Sequence, residues 1–157
     1  MLDEALLLGI ASIGVAVAGF TAVTAALTPP GGSWSVAQRI RQRAIVSTSF
    51  NVVVEALAPI IVFAWLEDVR ASVTLASAVT ALYVTWVIAS RARQLVRAGA
   101  FRTWGGRLLF VPGIVAWILF ATNALAFGSL ALYALALCVQ LSVSVLSFYQ
   151  LIAVASS

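Results

Sequence analysis

The chain has 157 residues, 63% of them hydrophobic and 9% charged, with a mean hydropathy of +1.10. A soluble domain is about half apolar and about a quarter charged, so this composition excludes a soluble globular fold and identifies a membrane protein. Nine arginines against five acids give a net charge of +4, carried at segment ends, where a basic bias reports topology and lipid contact before nucleic acid. One cysteine excludes an internal disulfide, and the absence of histidine removes the usual ligand of haem, zinc and copper sites.

A hydrocarbon core about 30 Å thick needs roughly 20 apolar residues at about 1.5 Å each. Five stretches meet that length: residues 5–27, 44–66, 70–90, 108–127 and 130–153. The first opens on Asp3 and Glu4 instead of a basic n-region and runs past the apolar length of a signal peptide, which predicts an uncleaved helix. Along it Gly14, Ala18 and Ala22 recur every four residues, with Gly9, Ala11 and Gly19 nearby. Such a small-residue groove suits a neighbouring helix or a second copy of the chain. Thr28-Pro29-Pro30-Gly31-Gly32 then breaks the chain, and Ser35 with Gln38 forms a capping box that opens helix two at residue 36, outside the bilayer. The first turns of this helix carry Arg39, Arg41 and Arg43, whereas the next connection, Glu67-Asp68-Val69-Arg70, is short and acidic on balance. The third connection is the longest and holds Arg91, Arg93, Arg97, Arg102 and Arg107, with Trp104 among them. Helix four carries Pro112-Gly113 near its inner end, which predicts a kink or loosened turn, and only Gly128-Ser129 separates it from helix five.

Eight arginines fall on the two connections that share one face and one, Arg70, on the other, so the positive-inside rule places the N-terminus outside and the C-terminus inside. The expected fold is all-α: a single polytopic transmembrane helical bundle over residues 1–157, with helices at about 5–27, 36–66, 70–90, 108–127 and 130–153. The alternative makes residues 108–153 one span plus a re-entrant segment, four spans in all. No internal repeat is visible, which removes support for an inverted-repeat transporter.

Glu55 falls in the middle of the second stretch, where an ionisable group costs about 2.5 to 3.5 kcal/mol or more and needs a partner or a role. The nearest arginine on its helix, Arg43, is twelve residues or about 18 Å away. Ser47, Asn51 and Glu55 follow at four-residue spacing with Pro59 next, and Pro59 cannot donate to the carbonyl of Glu55. A carboxyl and a free carbonyl are therefore expected together in the membrane, an arrangement that transporters use to hold ions. Depths counted from the inner ends put Glu55 at about 16 Å, Thr80 at about 15 Å, Ser144 at about 14 Å and Gln140 at about 20 Å. Asn51, Tyr83 and Thr21 form a second layer at about 10 Å, and Asn123 lies deeper toward the outside. The expected ion or proton site is thus Glu55 with Asn51, Thr80, Tyr83 and Gln140. The bland alternative is interhelical hydrogen bonding worth about 0.6 to 2 kcal/mol per group.

Arg91, Arg93, Arg97, Arg102 and Arg107 are a juxtamembrane cluster that serves as a topology signal and attracts anionic headgroups. No folded basic face for nucleic acid can be built here. Cys138 has no histidine to activate it and reads as a packing residue, and Glu55 has no second intramembrane carboxylate for acid–base work. Neither an enzyme, a cofactor nor a metal site is expected.

The residues Ile10-Ala11-Ser12-Ile13-Gly14-Val15-Ala16-Val17-Ala18-Gly19-Phe20, then Trp34 and the run Arg39, Arg41, Arg43, carry a resemblance. The chain resembles a group of small uncharacterised bacterial multi-pass membrane proteins with a Gly-rich first helix and an Arg-rich entry to the second. Ala58-Pro59, Ala81-Leu82-Tyr83 and Phe148-Tyr149-Gln150-Leu151 fit the same pattern through most of the chain. Where that pattern has a basic residue after the final helix, this sequence has Ser156 and Ser157. The resemblance implies a helical fold in the bacterial inner membrane and no activity. The functional expectation is a homo-oligomeric ion or proton channel, and the alternative is an accessory subunit of a larger membrane complex.

Overall fold

A computed structural model describes residues 2–26, 36–97 and 110–155, and every element among them is helical. The order is α1 (Glu4–Ala26), α2 (Val36–Leu66), α3 (Val69–Arg97), α4 (Phe110–Thr122), a π-helical turn (Asn123–Phe127) that continues α4, and α5 (Leu130–Ala155). The proposed cap at Ser35 and the residues Trp34, Arg102, Trp104 and Arg107 lie outside the described residues.

Short polar residues start and stop these helices. Asp3 accepts the Leu6 N–H at 3.0 Å and so caps α1, and Asp68 accepts the Ala71 N–H at 2.9 Å and caps α3. Glu67 turns the chain between α2 and α3 by taking the left-handed conformation, φ 55°, while its N–H still reaches the Phe63 carbonyl at 2.9 Å. Pro112 is the third described residue of α4, and the carbonyl four residues before it lies outside the described residues. Helix α3 runs seven residues past the apolar stretch because Arg91-Ala92-Arg93-Gln94-Leu95-Val96-Arg97 is made largely of strong helix formers.

Four segments are long and apolar enough to cross a bilayer: Glu4–Val23, Gln42–Leu66, Val69–Ser90 and Leu130–Tyr149. The fifth, Val111–Phe127, is shorter. Its register against α3 shows what it does. Trp117 donates to Thr85, Asn123 donates to Ser77, and Gly128 lies against Thr74 and Arg70. Antiparallel and constant in register, these contacts run α4 and its π-helical turn alongside most of the apolar length of α3. A traverse of this kind favours five crossings over a re-entrant piece.

Helix α2 is central and touches α1, α3 and α5, while α4 packs on α3 and α5. The distribution of side chains is inverted relative to a soluble protein. Leu125, Trp65, Leu82, Phe20 and Phe50 are exposed, whereas Thr21, Ser49, Ser72, Ser77, Thr80, Asn123, Gln140, Ser144, Ser147 and Glu55 are buried. Burial from water cannot drive such an arrangement, but hydrocarbon solvating the outer face can. The apolar core between the helices contains Leu7, Ile10, Val52, Ala56, Val73, Phe120, Tyr133, Ala136 and Leu137.

Candidate functional site

Helix periodicity makes two facing stripes between α2 and α5. On α5, Tyr133, Gln140, Ser144 and Ser147 are spaced by seven, four and three residues and all are buried, which is one continuous face. On α2, Thr48 and Glu55 are two turns apart and both buried. The Ser47, Asn51, Glu55, Pro59 series is not a straight line, because four residues overshoot one 3.6-residue turn by about 40° at each step. It spirals from Ser47, which is exposed, through Asn51, half-buried, to Glu55 and Pro59 in the interior.

The Glu55 carbonyl, left without its helical donor by Pro59, is not free. The Tyr133 hydroxyl donates to it at 2.7 Å, and Thr80 Oγ1 lies 3.4 Å from the same hydroxyl. Phe120 meets the Tyr133 ring edge-on with centroids 5.2 Å apart. Tyr133 is thus a side-chain substitute for the missing backbone N–H, and it joins α2, α3 and α5 at one point.

The Glu55 carboxyl is in the opposite condition. The residue is 5% exposed, and neither Oε1 nor Oε2 has a hydrogen-bond partner. The Gln140 side chain lies within hydrogen-bonding reach of the carboxyl, although no bond of good geometry forms, and its own Oε1 has no partner. One turn along α5, Ser144 Oγ is buried and unpaired. Several other helical hydroxyls fold back onto the preceding turn: Ser12 onto Leu8, Thr85 onto Ala81, Thr122 onto Ile118 and Ser142 onto Val139. Ser144 does not. Ser49 Oγ is unpaired as well, but it lies two-thirds of a turn round α2 from Glu55, on the side where its carbonyl meets Gly14 of α1.

Of the residues named from the sequence, the structure therefore brings Glu55 and Gln140 together. Thr80 reaches Glu55 only through Tyr133 and the backbone. Asn51 and Tyr83 bond one another instead, the Tyr83 hydroxyl donating to Asn51 Oδ1 at 3.0 Å across α2 and α3. Thr21 is buried and donates to the Val17 carbonyl at 2.8 Å. Sequence reading missed Tyr133 and Ser147, although the spacing of Tyr133, Gln140, Ser144 and Ser147 marks them as one face.

Two peripheral features complete the picture. On α1, Gly14 packs against α2, where a methyl group would meet the Ser49 carbonyl at 3.0 Å, while Ala18 is half-buried and Ala22 exposed. A different stripe is open: Ala5, Gly9, Ser12, Ala16 and Gly19 are exposed at alternating spacings of four and three, with nothing near Gly9 or Gly19. Arg91, Arg93 and Arg97 lie on the extension of α3, and Arg93 is exposed with its Nε on the Ala89 carbonyl at 3.2 Å. Cys138, expected as a packing residue, is instead exposed on α5.

Apolar outside, polar inside and built of membrane-length helices, the chain is a small multi-pass helical membrane protein. Compared with protein families, curated proteins and solved structures, it matches none.

Proposed function

We propose that the protein translocates a proton or a small monovalent cation across a bacterial cytoplasmic membrane, with Glu55 as the group that takes the ion up. The observation that carries this reading is a carboxyl at the middle of the span Gln42–Leu66, buried, with both oxygens unpartnered. A group so costly at that depth is retained for a role more often than for packing. Gln140 and Ser144 extend the polar surface from it along α5, and Thr80, Asn51 and Tyr83 stiffen the helices around it. The orientation is N-out and C-in, which puts the arginines of the α3 extension against anionic headgroups on the inner face.

Five short helices enclose little room for an aqueous path, so the working unit is a homo-oligomer. Its contact is the open small-residue stripe of α1, where backbones can approach closely. The same stripe favours a second reading, an accessory subunit that docks α1 on a different protein. Purification separates the two: a defined oligomer of this chain alone supports the first, and stoichiometric co-purification of other subunits the second.

The deciding experiment is reconstitution in liposomes, with proton and monovalent-cation flux compared for wild type and Glu55→Gln. Wild-type flux that collapses in the mutant, with helical content unchanged, is the expected result. Flux no greater than in empty liposomes, at any pH or voltage, overturns translocation by this chain alone.

A further inference from the structure

Three buried oxygen-bearing side chains lie on the facing stripes of α2 and α5, Gln140 beside Glu55 and Ser144 one turn further along α5, and each carries an oxygen with no hydrogen bond of good geometry. They supply the two Glu55 carboxyl oxygens, Gln140 Oε1 and Ser144 Oγ, from residues 5%, 7% and 1% exposed. Buried polar atoms in native proteins nearly always have partners, so four oxygens without well-formed hydrogen bonds on two facing helices mark a place for a ligand. We propose that this seam is a binding site for a dehydrated monovalent cation of the sodium class, coordinated by Glu55, Gln140 and Ser144. The inference rests on the reading of Glu55 as an ion site and goes further by naming the class of ion and the side chains that coordinate it.

The chemistry of the donors makes the choice. All are hard oxygens, the class that suits ions without d-electron preferences. Glu55 is the only acidic or basic residue among the buried side chains of the described residues, so one positive charge neutralises the seam. A divalent ion would leave a net charge in low dielectric, at a cost of several kcal/mol by the usual magnitude for a buried ion. A proton needs the carboxyl alone. A protonated carboxyl would be met by the Gln140 amide, but it leaves Ser144 Oγ, one turn further along α5, with no partner. A cation uses all of them. Tyr133 adds no ligand, because its hydroxyl is already committed to the Glu55 carbonyl.

Thermal unfolding of the purified full-length chain in detergent tests the proposal, in sodium chloride, potassium chloride and choline chloride at equal ionic strength. A ligand that binds only the folded protein raises its Tm in a saturable way. The expected result is a higher Tm in sodium than in choline, with a smaller rise in potassium. Glu55→Gln should abolish the sodium effect, and Ser144→Ala should raise the half-saturating concentration by about three- to tenfold, the size of one lost polar contact. Both substitutions are near-isosteric, and helical circular dichroism in choline reports whether each variant is folded. Equal Tm values in sodium and choline overturn the proposal, and so does a sodium effect of the same size in all three proteins. Proton flux in liposomes without a sodium effect overturns the cation assignment and leaves the translocation reading standing. Sodium binding without flux does the reverse.

Discussion

The hairpin of α3 and α4 and the seam between α2 and α5 use the same kinds of residue and leave them in opposite states. In the hairpin the polar side chains Trp117, Asn123, Thr85 and Ser77 are paired across the helix contact. Asn123 is fully buried, donating to Ser77 Oγ at 2.9 Å and accepting the Ser129 N–H at 2.8 Å, and Trp117 donates to Thr85 at 2.8 Å. In the seam Glu55, Gln140 and Ser144 are as deeply buried and have no such partners. Polar residues between membrane helices are thus two populations here. One fastens helices, as a structural reading expects, and the other is held open. The difference is testable through stability, because removing a satisfied group and removing an unsatisfied one act with opposite sign.

The largest effect belongs to the fastened side. Gly128 ends the π-helical turn at φ 57°, with its N–H on the Asn123 carbonyl at 2.8 Å. A Cβ there would lie 2.6 Å from Thr74 Oγ1 and 2.7 Å from Arg70 Cγ. Gly128→Ala combines left-handed strain with a clash, and unfolding in mixed micelles should show a loss of about 2 to 4 kcal/mol. Asn123→Leu comes next, at about 1 to 2 kcal/mol, because it strands the Ser129 N–H and removes the bridge to Ser77. A neutral result for Gly128→Ala would mean that the hairpin closes differently.

Local sequence made the helical bundle legible, since the apolar lengths and the short connections at Gly128-Ser129 and Glu67-Asp68 can be read directly from it. Glu55 was legible for the same reason: a carboxyl amid apolar residues announces itself. Its partners were not, because depth counted along each helix gives a level and no azimuth. Thr80 and Tyr83 are at suitable levels and point elsewhere, and Ser47 drifts round to the lipid side through the mismatch between four residues and one turn. Pro59 showed that the Glu55 carbonyl would lack its helical donor, but nothing local to α2 tells that a tyrosine from α5, 78 residues away, supplies another. The π-helical turn was equally hidden, since it depends on Asn123 reaching both Ser77 and Ser129.

Tyr133 gives an intermediate effect with its own control. Tyr133→Phe removes the donor to the Glu55 carbonyl and should cost about 1 kcal/mol, a typical value for one interhelical hydrogen bond. Pro59→Ala restores a backbone N–H four residues after Glu55 and gives that carbonyl a second donor. In the Pro59→Ala background, Tyr133→Phe should therefore cost less than in the wild type, a coupling that a double-mutant cycle reads directly. Equal costs in both backgrounds would show that the tyrosine acts by packing on Phe120 and not through the carbonyl.

The smallest effect is the one that separates the two regions most sharply. Gln140→Leu keeps the approximate volume on α5 while removing an amide oxygen that has no partner. In choline, where no competing cation fills the seam, the substitution should leave stability unchanged or raise it by about 0.5 to 1.5 kcal/mol, since desolvation of an unpaired group is relieved. Asn123→Leu, the same change of chemistry made in the hairpin, should lower it under identical conditions. Opposite signs for two amide-to-leucine replacements at similar burial would establish that the seam holds its polar groups at a cost to the fold. A loss of stability in both would mean that Gln140 is bonded to Glu55 in the membrane, and the seam would then be fastened like the hairpin.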